Sequence, residues 1–148
     1  MLSHRVICVG RKAKDPQLES AERYLDRLKK CTKIDLIRLK EGTMSSEGDA
    51  ILKSIDGCHQ VIALDEHGLQ WSTMELSGQI VKWRDSGVGS VAWIIGGADG
   101  LDSRVKERAH KTLSLTKMTL PHRMALALLL EQLYRVEQIR LGTGYHRP

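Results

Sequence analysis

The stretch Val91–His122, VAWIIGGADGLDSRVKERAHKTLSLTKMTLPH, decides the fold. It opens on five apolar residues, Val91-Ala92-Trp93-Ile94-Ile95. Such a run is too short and too continuous for an amphipathic helix, and it reads as a buried strand. Gly96, Gly97 and Gly100 follow; backbone without a Cβ can turn sharply there and come close to whatever sits above the strand end. Asp102 or Ser103 can cap a short helix by accepting from an unpaired first-turn N–H. Beyond it Leu113 and Leu115 alternate with Thr112, Ser114 and Thr116, a second strand. Continued regularly, that strand would turn Lys117 toward the core and Met118 and Leu120 away from it, so it should end near Leu115. Thr116 to Leu120 is then a loop running into Pro121, whose fixed φ and missing N–H suit a first helical position. The two strand exits are expected to lie side by side and form a pocket. GGADG alone would also make an ordinary tight turn, and LTKMTLP alone the edge of a core strand. Their succession is what carries information.

At 148 residues the chain fits one domain, 1–148, with a core of its own. No stretch approaches the roughly 20 consecutive apolar residues of a membrane-spanning helix, and the opening MLSHRVICVG lacks a signal-peptide layout. Cys8, Cys31 and Cys58 are scattered and odd in number, which suits reduced thiols in a cytoplasmic protein and gives no support for a zinc site or any other metal. Net charge +5 and a pI near 9.2 favour a polyanionic partner. Aromatics make up only 4% and Phe is absent, so a stacking platform is poorly supplied and phosphate contacts and shape should dominate any RNA recognition.

Arg5 to Val9 reads as the first strand, followed by the basic loop Gly10-Arg11-Lys12-Ala13-Lys14. In an open parallel sheet ligands gather at the carboxyl ends of strands, so Arg11, Lys12 and Lys14 are either phosphate contacts or a solvated charge run. Asp15-Pro16 starts a helix to about Cys31, a strand covers Ile34 to Leu39, and Glu41 to Ser46 is a polar connection. Ser46 or Asp49 begins a helix through Ile55, and a third strand, Gln60 to Leu64, leads into a turn at Asp65-Glu66-His67-Gly68. Neighbouring residues of an extended chain point to opposite faces, so Asp65 and Glu66 are no acid–base dyad; Leu64 and Asp65 lining a pocket is the alternative. Ser72 caps a helix that stops at Ser86-Gly87.

The last helix, about Pro121 to Leu141, carries Met124, Leu126, Leu128, Leu129, Leu130, Leu133, Val136 and Ile139. These cover more than one face, so a second face needs burial, and a homodimer supplies it economically. His122 lies at the positive helix start, where its pKa would fall and an anion would be attracted. Two glycines then release a tail bearing Tyr145, His146 and Arg147.

IIGGADGL, LSLTKMTLPH and the terminal GYHR, in that order and spacing, resemble the RlmH-type ribosomal RNA methyltransferases, small members of the SPOUT or trefoil-knot class. The similarity runs nearly end to end through VICVGR, ALDEHG and ALLLEQLYRVEQI, departing where His67 replaces a commonly basic residue and Ala98-Asp99 fills the glycine loop. It implies an α/β fold, a parallel-rich sheet covered by helices on both faces, with a deep C-terminal knot that no sequence pattern could reveal. It also implies a homodimer that uses S-adenosylmethionine to methylate N3 of a pseudouridine in 23S rRNA of the large subunit, on assembled ribosomes. By matched position, Leu64, Gly96, Gly97, Gly100, Leu115, Thr116, Lys117, Met118, Thr119 and Leu120 would bind the cofactor. Tyr145, His146 and Arg147 would complete a site, the partner subunit's being one choice, and Arg11, Lys12, Lys14 and His122 would touch RNA. His146 would act as general base or base-orienting donor, Arg147 would stabilise developing negative charge or bind a flanking phosphate, and Tyr145 would stack on the base or hydrogen-bond to it. A nucleotide-dependent oxidoreductase is disfavoured because VGRKAKD, not GxGxxG, follows the first strand. A non-catalytic RNA-binding module, or an enzyme for another RNA, are the remaining alternatives.

Overall fold

The computed structural model describes every residue from Met1 to Pro148. Five strands alternate with five helices: β1 Ser3–Val9, α1 Pro16–Lys29, β2 Lys33–Leu39, α2 Met44–Ser54, β3 Gln60–Gln70, α3 Thr73–Asp85, β4 Ser90–Ile95, α4 Ser103–Arg108, β5 Lys111–Ser114 and α5 His122–Leu141. The strands form one sheet in the order β2-β1-β4-β3-β5, with every pairing parallel. Because side chains alternate across a strand, β1 sends Val6 and Cys8 to one face and Ile7 and Val9 to the other. The first face packs under α1, α3 and α5 through Leu18, Leu25, Ile80, Leu129 and Leu133, with Trp93 at its centre. The second packs under α2 and α4 through Ile51 and Val105. The α/β class and the two covered faces are as the sequence implies.

Local signals account for most helix starts. Asp15 accepts from Gln17 N–H at 2.8 Å and caps α1. Ser72 and Glu75 form a reciprocal capping box on α3. Asp102, rather than Ser103, caps α4. Two boundaries differ from expectation. The α2 helix begins at Met44, earlier than Ser46, because Thr43 accepts from Ser46 N–H at 3.0 Å and takes the cap itself. Pro121 sits just outside α5 as its N-cap, with extended ψ of 141°, so the helix begins one residue later.

The larger difference lies at Asp65–Gly68, which is no reversing turn. The β3 strand continues to Gln70, with a register irregularity that sets both Leu64 and Leu69 opposite Leu113 of β5. Gly68 permits this, since a Cβ there would stand 2.5 Å from the Thr112 carbonyl oxygen. The sheet order brings a second correction: β3 lies between β4 and β5, so the two exits expected to be neighbours are separated by its carboxyl end.

At the opposite, amino end of the sheet His4 is buried, and its Nδ1 accepts from Trp93 Nε1–H at 3.0 Å. Burial lowers its pKa to about 4, against a partial upward pull from Glu137. A depressed histidine pKa means that the unfolded chain binds the extra proton first. Stability should therefore fall as pH drops from about 6.5 toward 4, by about 3 kcal/mol from this residue alone. Urea unfolding across that range should show a steeper acid loss for the native chain than for His4→Gln, which stays neutral.

Candidate functional site: a pocket at the carboxyl edge of the sheet

A cavity of about 970 Å³ opens over the ends of β4, β3 and β5. Three segments frame it: Ile95–Leu101, Leu64–His67, and the run from Leu115 to His122 into α5, with Met44, Lys106 and Ala125 at its margins. Its walls are apolar at Leu64, Ile95, Leu115, Leu120 and Ala125. Met118 adds an apolar side chain 77% exposed at the mouth, surface that a bound ligand would cover.

The glycine segment is shaped by close contacts. Gly100 N–H donates to Gly97 C=O at 3.1 Å, and Gly100 takes φ +83°. A Cβ on Gly96 would stand 2.8 Å from Leu101 Cδ2 and 3.0 Å from the Gly100 carbonyl. One on Gly97 would press on Glu47 at 3.2 Å and Val9 at 3.3 Å. The segment is tied to α2 through Arg104, which reaches Asp49 at 2.7 Å, the Ser45 carbonyl at 3.0 Å and Asp102 at 2.8 Å. These contacts raise the Arg104 pKa and lower that of Asp102.

The segment after β5 is held from within and from β3. Ser114 Oγ donates to Thr116 C=O at 2.7 Å, Met118 N–H to Thr116 Oγ1 at 3.2 Å, and Thr119 Oγ1 to Glu66. Asp65 takes Lys106 Nζ at 2.8 Å and the His67 N–H at 2.8 Å. Partial burial alone would raise its pKa, but the Lys106 and His67 contacts outweigh that and hold it below the ordinary value. The β3 carboxylates are therefore structural ties between the framing segments. No three His, Cys, Asp or Glu side chains come together as a metal-ligating group.

Of the residues read from sequence, Leu64, Gly96, Gly97, Gly100, Leu115, Thr116, Met118, Thr119 and Leu120 all line this cavity, with His122 at its edge. Lys117 does not; it is exposed. Asp65, read as a pocket residue only in the alternative to a turn, lines it beside Leu64, whereas Ile95, Glu66, Lys106 and Ala125 were missed as wall residues. Arg11, Lys12 and Lys14 are exposed in the β1–α1 loop and form no ion pair. Gly10, at φ +133°, brings that loop against His122, whose buried Nε2 has no partner.

The tail is elsewhere. Tyr145 stacks edge-on against Tyr134 at 5.0 Å and donates to Glu131 at 3.3 Å, and His146 Nδ1 lies 3.3 Å from an Arg135 N–H. Burial, then hydrogen bonding with Tyr24 and the charge of Glu131, pushes the Tyr145 phenol up to about 12. Glu131 and Arg135 are about three and four turns along α5 from Pro121, so the tail docks roughly 15–20 Å along the helix from that end of the pocket.

A parallel sheet whose pocket is framed by a glycine turn and by the chain entering the last helix is the architecture of SPOUT methyltransferases. The structure superposes on a "probable methylase family protein" of Haemophilus influenzae with a TM-score of 0.62, covering 98% of this chain and 70% of that one at 14% identity. A probable methyltransferase of Bordetella pertussis gives 0.61 over 90% and 93%, also at 14% identity. At that identity the likeness speaks for the fold alone. Residues 2–146 match the family described as "Predicted SPOUT methyltransferase". Proteins named Ribosomal RNA large subunit methyltransferase H are 38% identical in Anaeromyxobacter sp. (97% of this chain, 98% of that one) and 39% identical in Acidiphilium cryptum (97% and 92%). The chain belongs to this RlmH family of SPOUT methyltransferases, enzymes whose methyl donor is S-adenosylmethionine.

The pocket fits that donor. The wall of Leu64, Leu115, Met118 and Leu120 offers an apolar seat for adenine, and the Cβ-free backbone at Gly96 and Gly97 allows close approach. Gly96→Ala should lower S-adenosylhomocysteine affinity at least tenfold in calorimetry while leaving the circular-dichroism spectrum unchanged, since the added methyl would push on Gly100 backbone.

Proposed function

We propose that this protein methylates N3 of a pseudouridine in 23S rRNA on assembled ribosomes, as a cytoplasmic homodimer whose sites are shared between subunits. The observation that carries the reading is the separation of pocket and tail on one chain. The exposed strip of α5 runs through Met124 (36%) and Leu128 (41%) to Glu131 and Arg135, where the tail docks. Two α5 helices packed antiparallel about a two-fold axis near Leu128 would cover those apolar side chains and set Arg135 of each chain opposite Pro121 of the other. Tyr145, His146 and Arg147 would then stand over the partner's pocket. The deep knot of the class belongs to the same reading, with the segment after β5 as its threaded part.

When bound, S-adenosylmethionine supplies an electrophilic methyl group on a sulfonium. Holding N3 in line with that methyl is the work of the pocket walls and the tail, and such positioning can supply much of the barrier reduction. Arg135 N–H faces Nδ1 of His146, which leaves the imidazole proton on Nε2. His146 is thereby set as a donor toward a base carbonyl, stabilising the charge left when N3 gives up its proton to water. Arg147 forms no ion pair and is free for the same charge or a flanking phosphate. Arg11, Lys12, Lys14 and His122 would meet rRNA phosphates at the pocket edge.

Labelled S-adenosylmethionine should methylate one pseudouridine in ribosomes lacking the modification, and naked 23S rRNA weakly. Removing Tyr145–Pro148 should cut turnover at least a hundredfold while leaving cofactor affinity intact; unchanged turnover would sink the tail assignment. Mixing the tail-deleted chain with a chain disabled in its pocket should restore activity through heterodimers, and failure to restore it would place tail and pocket on one chain.

A further inference from the structure

The chain has only three tyrosines, and the fold gathers all of them at one place. The α1 and α5 helices run parallel, as the contacts Asp15–Arg123 at 3.1 Å and Tyr24–Tyr134 at 6.1 Å show. Tyr134 in turn meets Tyr145 at 5.0 Å. Two arginines lie over these rings: Arg27 is 5.5 Å from the Tyr24 centroid and 5.7 Å from that of Tyr134, and Arg135 is 4.8 Å from Tyr145. Arg135 is spent on Glu131 at 2.6 Å. Arg27 has no carboxylate partner, is exposed, and is followed one turn back on the same face by the equally unpaired, exposed Arg23.

Packing α1 against α5 requires none of this. The buried contacts between them are made by Leu18, Ala21, Leu25 and Leu28 against Leu126, Leu130 and Leu133. The tyrosines are half-buried at the margin of that cluster. A guanidinium within 6 Å of two aromatic ring centroids, exposed and without a carboxylate partner, is a surface against which an unstacked base can lie while a phosphate meets an N–H edge.

We propose that Tyr24, Arg27 and Tyr134 form a stacking platform for unpaired rRNA nucleotides flanking the methylated pseudouridine. Arg27 supplies the plane, the tyrosines hold that plane in place, and Arg23 takes a neighbouring phosphate. The inference rests on the tail acting at the partner's pocket, because only then does this cluster, fastened to the tail through Tyr145, stand beside the target base. It gives the enzyme a base-contacting surface that composition alone, at 4% aromatic residues, argued against.

The test is steady-state methylation of unmodified ribosomes by full-length variants, with S-adenosylhomocysteine affinity, dimer mass and melting temperature measured in parallel. Arg27→Gln and Tyr24→Leu should each raise KM for ribosomes about tenfold with little change in kcat and cofactor affinity. Arg27→Lys should recover only part of the loss, and Tyr24→Phe nearly all of it. Ultraviolet crosslinking to ribosomes should attach rRNA to the peptide carrying Tyr24. An unchanged KM in Arg27→Gln overturns the platform, as does dissociation of the dimer by these substitutions, which would make the face a contact between protomers. If tail deletion is silent, the reading beneath the proposal fails first. If it abolishes turnover while Arg27→Gln behaves as native, the platform alone fails.

Discussion

A strand paired on both edges and covered on both faces has no surface left with which to do chemistry. That is the condition of β4, hydrogen-bonded to β1 and β3, with Val91 to Ile94 wholly buried. Every ligand-directed feature is therefore displaced to its carboxyl end, where the sheet stops and backbone groups are released from pairing. Gly96 and Gly97 are the consequence: side chains there would collide with Gly100, Leu101, Val9 and Glu47. The β5 strand, at the sheet's edge and paired only with β3, stops at Ser114, and the residues that follow wall the pocket. Gly68 lets the end of β3 stay in the sheet between them, and so brings Asp65 and Glu66 to the places where they tie the framing segments together.

Much of this was legible in the residues. Apolar runs and alternation located all five strands, and Asp15, Ser72 and Asp102 marked helix starts because capping is a local contest between one side chain and the next N–H groups. The glycine segment and the Leu115–Leu120 segment were expected to bind the cofactor chiefly through resemblance, and the cavity is lined by nearly all of their named residues. What sequence hid was non-local. A strand that carries on through Asp65-Glu66-His67-Gly68 looks like a turn until Thr112 is seen lying against Gly68. Likewise, that β3 separates β4 from β5 is decided by sheet order, which alternation within a strand does not encode.

The tail shows a different limit. Tyr145 and His146 look like free functional groups in a list of residues, yet in the fold they are committed to Glu131, Tyr134 and Arg135. A disordered tail would lose much conformational freedom on meeting substrate; a docked one has already lost it. The helix fixes the placement at about 1.5 Å per residue, so the spacing from Pro121 to Arg135 sets how far the tail stands from the pocket of its own chain.

Such a spacer is useful only if its far end is rigid, and α5 is made rigid by a buried charge. Glu137 is 1% exposed and is held by Arg84 of α3 and by Arg140 at 2.7 Å within α5. Burying a carboxylate is costly, and the two arginines do little better than offset that cost; leucine at this place would serve stability about as well. What an apolar side chain would not supply is direction. A carboxylate fastened by two guanidinium groups has one acceptable orientation, so α5 cannot slide or rotate along α3 without leaving a charge unpaired, a state that costs about 3–5 kcal/mol. The buried ion cluster thereby sets the register of the helix, and with it the place to which Tyr145 and His146 are carried.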